Sequence, residues 1–366
     1  MATGMTSPDR TRPDEMARGR GRERDVRYDV VRIVAMTFVV AVHALMVIDA
    51  GTPFGNAYVV FGQAVFYTCN ALFFILSGRF NLTHRNGEMP GRFYLKKARG
   101  ILIPVLILFL LRTAYNLWPQ FPGLRAFGVA YVKNVLGAFA GTEYWFIYTL
   151  VSLLVVVPFL APAFSRFDRK RQDLFIGIGF AWFTALFFLT GRGIAFSWTY
   201  LFTGFAFPFC IGPFVEERFK GRERVLWLAM PLCAVTTTWL VLSGFTSQAL
   251  GAFDNSPLYM LLSIGMYLAL LDLGGRVRGT TARRAILFVA KHSFTVYLVH
   301  LPVMHVLRAL MPAAPGVLGY ALHPLLALGT ILVSLAVAIV LDAALIRPAQ
   351  RLFDVAMSRL TVRRAG

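Results

Sequence analysis

The 366 residues are 57% hydrophobic and 15% charged, with 31 glycines besides and a mean hydropathy of +0.63. Soluble domains carry about 45–50% apolar residues and about a quarter charged ones, so a soluble enzyme, a disordered chain and a disulfide scaffold are excluded. The net charge of +19 admits nucleic acid as a partner only if the cations gather on a solvated face, and their positions argue otherwise.

Residues 1–27 are polar and arginine-rich, running through RGRGRERDVR with no apolar centre. They read as a basic disordered cytoplasmic arm near anionic headgroups, not as a secretory signal. A membrane crossing takes about 20 mostly apolar residues. Ten stretches qualify: 29–48, 57–78, 99–118, 144–164, 174–190, 196–215, 225–243, 257–272, 286–311 and 324–346. With the N-terminus inside, 30 of the 37 Lys and Arg fall in cytoplasmic segments, while the opposite side holds Arg125, Lys133 and Arg192. Basic loops resist translocation, so the charge reports topology, and DNA binding is set aside. The expected fold is all-α: a polytopic integral protein of the plasma (bacterial inner) membrane, with about ten transmembrane helices and both termini cytoplasmic. Its parts are the arm 1–27, a ten-helix domain 28–346 and a basic cytoplasmic tail 347–366, with no appended soluble domain. Pro104, Pro158, Pro208 and Pro302 predict kinks. The longest outer segment, 119–143, contains Pro119, Pro122, Gly123, Gly137 and Gly141 and is expected to fold over the outer mouth.

Polar side chains inside apolar spans are expensive and need a partner or a wet cavity. Arg32 and His43 in the first span are 11 residues apart. On a helix they share one face, separated by about 16 Å along the axis. A basic anchor and an imidazole on one stripe suit the two ends of an elongated ligand; a snorkelling Arg32 and an interhelically bonded His43 are the alternatives at this point. Cys69, Cys210 and Cys233 all lie in apolar stretches and read as small hydrophobes.

The spacing Arg32-x10-His43 is similar to the signature of the membrane-bound acyltransferase family 3. FFILSGRF (Phe73 to Phe80) resembles that family's FF-x-x-SG element, and FYLKKARGILIP (Phe93 to Pro104) its basic approach to the third span. EYWFIYTLVSLLVVVPFL (Glu143 to Leu160) resembles its WF-x-x-x-L element, and HSFTVYLVH (His292 to His300) its Ser-x-x-x-Tyr-Leu-x-His segment. The motifs occur in family order over roughly residues 26–346. Two departures stand out: Lys96, Lys97 and Arg99 replace a cleaner arginine pair, and Glu143-Tyr precedes Trp-Phe where His-Leu is common. The resemblance implies transfer of an acyl group, usually acetyl, from cytoplasmic acyl-coenzyme A to a hydroxyl of an envelope glycan, glycolipid or exported molecule.

For that chemistry the donor, a polyanion with a long thin arm, needs a cationic mouth. Arg92, Lys96 and Arg99 fall at i, i+4 and i+7, one face leading into the third span. With Arg32, Arg79 and Ser77 they are the candidate acyl-coenzyme A residues. His43 is the candidate general base, Glu143 its orienting carboxylate, and Arg112 a stabiliser of the thioester oxyanion or a holder of an anionic acceptor. Depth also brings His300 to this level. Ser293, Tyr297 and His300 share a stripe that reads equally as a structural seam. Asp272 and Asp342 read as boundary residues; His305, His323 and Trp118 read as interface or packing residues. No metal is expected. The partners are acyl-coenzyme A, a carbohydrate or lipid-linked acceptor and membrane lipids. A transporter or flippase of an envelope intermediate is the competing class.

Overall fold

The computed structural model of the chain describes residues 24–83, 89–194, 205–246, 256–311 and 316–363. It is all-α. Helix α1 spans Val26–Ala44, α2 Pro53–Phe66, α3 Thr68–Asn81, α4 Pro90–Lys97, α5 Ile103–Leu117, α6 Leu124–Leu136, α7 Trp145–Phe164 and α8 Arg169–Gly191. The short α9 (Ala206–Ile211) and α10 (Val215–Arg218) follow, then α11 Glu223–Leu242, α12 Pro257–Gly275, α13 Thr280–Leu310, α14 Val317–Leu341 and α15 Arg347–Arg363. Among the described residues, nine helical segments are long and apolar enough to cross a membrane, and no separate soluble domain is present.

Local chemistry sets the boundaries. Asp25 caps α1, accepting from the Arg27 amide at 3.0 Å. The same carboxylate takes the Arg27 guanidinium at 2.7 Å, and that side-chain bond holds Asp25 below the ordinary carboxylate range. Thr52, Asp168 and Ser256 cap α2, α8 and α12 by the same device. Pro53 and Pro257 open α2 and α12, where the missing N–H costs nothing.

Helix α1 runs through the centre, packed against α3, α12, α13 and α14. In α12, 61% of the apolar stretch is buried, against 22% in α8, which sorts inner from peripheral helices. The peripheral ones turn Phe159, Leu228, Leu232 and Leu325 outward, as a chain solvated by lipid must. At the centre, Phe74 packs on Phe146 and stacks on Phe205 at 4.8 Å. Gly78 has a specific steric purpose: a Cβ there would meet the backbone of Phe209, so its hydrogen lets α3 and α9 touch main chain to main chain.

Nine of the ten expected spans coincide with long apolar helices. Of the sixth, 196–215, residues 196–204 lie outside the described residues, as does most of the arm 1–27. Arg169 meets Glu217 at 3.3 Å and Arg218 meets Asp173 at 2.6 Å, so the start of α8 and residues 216–218 share one end. The 23 residues of α8 lead about 34 Å away from it. The expected tail, 347–366, begins as α15, which continues the last span through a π turn at Asp342–Ile346. The segment 119–143 is mostly the helix α6, tied to α5 by Asn134 donating to Thr113 at 2.9 Å. Asp342 is not a boundary residue. It is 8% exposed, bound to His292 and accepting from Thr295 at 2.6 Å. Asp272, by contrast, is exposed and pairs with Arg276 one turn on.

Candidate active site

His43 sits in the last turn of α1 and faces a cavity of about 180 Å³ whose wall includes Asn70, Cys69, Thr142, Glu143, Trp145, Phe146 and Tyr297. Its wall comes from the end of α1, the start of α3, the turn that precedes α7 with the first residues of α7, and Tyr297 of α13. Behind His43 lies His300 of α13, with ring centroids 5.3 Å apart. Glu143 is 6% exposed and ion-pairs with Arg112 of α5 at 3.4 Å. An imidazole, a buried carboxylate and a guanidinium thus meet at one level, as helical depth predicts.

A proline explains how the Glu143 turn is held. Pro302 lies inside α13 and has no N–H, so the Leu298 carbonyl four residues back loses its helical donor. The Tyr144 hydroxyl supplies a replacement, donating to that carbonyl at 2.8 Å. In return the Tyr297 hydroxyl donates to the Glu143 carbonyl at 2.5 Å. Two reciprocal tyrosine bonds therefore pin Glu143 against the kink beside His300.

A second cavity, about 350 Å³, opens toward the Arg32 end of α1 and is lined by Arg32, Ser77, Lys97, Ser293 and a set of apolar side chains. Phe146 and Tyr297, 5.7 Å apart, line both this cavity and the His43 chamber, forming the throat between them. A third, about 410 Å³, shares Phe80, Asn81 and Lys97 with the second and adds Lys96. Two of the cavities carry Arg32 and His43 of α1 in their walls, and the third, lined by no α1 residue, adjoins the Arg32 cavity through the shared Phe80, Asn81 and Lys97. Arg32 is fixed there by Asp29, 2.7 Å away and 2% exposed, which also binds Arg24.

The sequence-predicted residues divide accordingly. Arg32 and Ser77 line the middle cavity, Lys96 the mouth, and His43 and Glu143 the far chamber. Arg112 stands behind Glu143 as its ion-pair partner. Arg79, Arg92 and Arg99 fall elsewhere. Arg79 donates to Glu216 at 3.0 Å, in a cluster where Tyr28 and Tyr267 donate to the same carboxylate. Arg92 is exposed on α4. Arg99 lies in a π turn, Ala98–Leu102, which departs from the straight-helix phase that the shared face requires. It binds Asp354 of α15 at 2.7 Å instead. The straight-helix face Arg92–Lys96–Arg99 is therefore broken between its second and third members, and Lys97 takes the inner place.

Sequence reasoning passed over Asp29 and Lys97. A carboxylate three residues before Arg32 was a findable signal, since that spacing pairs side chains on a helix. The inward place of Lys97, on the wall of both inner cavities, has none. His323 is a satisfied packing residue: its Nε2 donates to the Ala41 carbonyl at 3.0 Å and its Nδ1 accepts from Tyr58 at 3.0 Å. Among the described residues, no group of three His, Cys, Asp or Glu side chains is placed to hold a metal ion.

A family model, described as an acyltransferase domain and belonging to acyltransferase family 3, matches residues 25–343. No curated protein and no solved structure matches the chain.

Proposed function

The chain belongs to acyltransferase family 3, and from that membership and the run of cavities we propose that it carries an acyl group through the membrane domain. The donor is acyl-coenzyme A, with acetyl the expected acyl group, and the acceptor is a hydroxyl of an envelope glycan, glycolipid or exported molecule. The observation that carries the reading is the continuity of the cavities. A cationic mouth with Lys96 and Lys97 leads past Arg32 and Ser77 to a throat at Phe146 and Tyr297, and ends at His43. Phosphates suit the mouth, a narrow arm suits the middle, and a thioester carbonyl would be delivered beside an imidazole.

In the reaction, His43 takes the proton as the acceptor oxygen bonds to the thioester carbon. The carbon–sulfur bond then breaks, and the proton passes to the departing sulfur, so ester and free thiol form with no net proton. A positioned general base is worth about 10²–10⁴-fold. The Glu143 carboxylate stabilises the imidazolium formed at His43, and Arg112 holds Glu143 in place. Arg32, locked by Asp29, holds donor anions at the middle cavity. On this reading the mouth and both termini face the cytoplasm, which the charge distribution over the loops supports.

The test is to supply [14C]acetyl-coenzyme A to inside-out membrane vesicles that contain the protein and to follow label into non-protein envelope material. Label transfer dependent on the protein supports the reading. Absence of transfer, with an envelope intermediate accumulating on one side of cells lacking the protein, would favour a flippase.

A further inference from the structure

His300 is completely buried, yet only one of its ring nitrogens is bonded. Nδ1 lies 2.5 Å from the Tyr297 carbonyl oxygen. A carbonyl can only accept, so Nδ1 carries the proton, and in the neutral ring Nε2 is a bare acceptor. That Nε2 is enclosed with no hydrogen-bond partner, and burying such an atom unpaired costs about 1–3 kcal/mol. Two other rings neighbour His300. Tyr297 stacks on it at 5.7 Å with a 29° tilt, and His43 lies 5.3 Å away at a tilt of 43°. At this centroid separation a turn of the His43 ring can bring one of its nitrogens within hydrogen-bond reach of Nε2.

We propose that His300 is the positioning residue of the general base: with the His43 ring turned toward it, its empty Nε2 accepts the N–H of His43, which leaves the opposite His43 nitrogen unprotonated and open to the chamber. Tyr297 sets the His300 tautomer, and His300 in turn sets that of His43. When His43 takes the acceptor's proton, the N–H toward His300 becomes a charge-assisted donor and strengthens. The division of work with Glu143 follows from the contacts. Glu143 is committed to Arg112 and stabilises charge through space, whereas His300 fixes which nitrogen is free. His305 on α13 also acts on His43 through space, and it is exposed, so it is not suited to this task.

The inference rests on the general-base reading, and its test separates the two. The protein, purified in nanodiscs with 15N-histidine, is compared as wild type, His300→Phe and His300→Gln. Phenylalanine keeps the ring stack and removes the acceptor; glutamine retains an acceptor near the Nε2 position. In wild type one His43 tautomer dominates the ring-nitrogen spectrum. In His300→Phe the two tautomers mix and kcat falls about 10–100-fold, within the range of a lost general-base contribution, while the KM for acetyl-coenzyme A stays within twofold. His300→Gln recovers most of both. An unchanged His43 tautomer and unchanged kcat in folded His300→Phe would overturn the positioning role and leave His43 as base. Should His300→Phe fail to fold, an equal mixture of His43 tautomers in folded wild type would overturn it equally. Conversely, wild-type turnover in His43→Gln alongside a single His43 tautomer would remove the base and keep the contact.

Discussion

Tyr144→Phe removes one oxygen atom from a site that is 1% exposed. The lost bond, 2.8 Å to the Leu298 carbonyl, has no substitute, because Pro302 cannot donate and water does not reach the position. Hydrogen bonds between membrane helices average about 0.6 kcal/mol with a maximum near 1.7, and a buried group left unpaired costs about 1–3 kcal/mol. A destabilisation of about 1.5 kcal/mol is expected. The sharper consequence is rescue. Pro302→Ala restores an N–H at the position that normally serves the Leu298 carbonyl, so in the Tyr144→Phe background it should recover about half of the loss. In the wild-type background it should gain little, since the carbonyl is already served. The assay is a four-member thermodynamic cycle, read by a thiol-reactive fluorophore, because Cys69 and Cys233 are buried and report unfolding. Strict additivity of the two substitutions would refute the idea that the tyrosine answers the proline.

Four further outcomes are expected. Gly78→Ala drives a methyl into the Phe209 backbone; overpacking costs about 1–3 kcal/mol or more, and the yield of monodisperse protein on size exclusion should fall sharply. Arg32→Ala removes a charge-assisted bond worth about 1.5–3 kcal/mol, so the KM for acetyl-coenzyme A should rise at least about tenfold, whereas Arg99→Ala, which breaks only the exposed pair with Asp354, should leave it within about twofold. Glu143→Ala leaves Arg112 as an uncompensated buried charge, costing about 3–5 kcal/mol, and a double Glu143→Gln/Arg112→Met variant should be closer to wild type in the same thiol assay. The Asp25 carboxyl is held below its ordinary value of 3.8 by Arg27, so its contribution to the start of α1 is present above that pH and fades on acidification. Asp25→Asn should flatten the acid limb of stability slightly, because the pair is solvent-screened.

What was legible in the chain follows from which physics acts locally. Span positions come from twenty-residue apolar stretches, and the shared face of Arg32 and His43 from helical geometry that holds as long as α1 is regular, which it is. The level of Glu143, Arg112 and His300 follows from the same rise per residue. Prediction failed where the helix is irregular. The π turn at Ala98–Leu102 carries no sequence mark, so Arg99 was expected to face the mouth and instead faces α15. Arg79 was misplaced for another reason: its partner Glu216 is 137 residues away, and no periodicity encodes a contact between distant helices. The π turn that draws Asp342 in toward His292 is equally silent in the sequence. The Tyr144–Leu298 bond lies between. Pro302 announces a free carbonyl, but only the fold says which hydroxyl answers it.

The central claim is that an imidazole at the far end of the cavity run removes the acceptor's proton. The direct measurement is turnover of purified, reconstituted His43→Gln with [14C]acetyl-coenzyme A, alongside donor binding by the same protein. The account predicts transfer reduced by about 10²–10⁴-fold with donor affinity unchanged, since Arg32 and the lysines of the mouth are untouched. Wild-type turnover in that variant would contradict it.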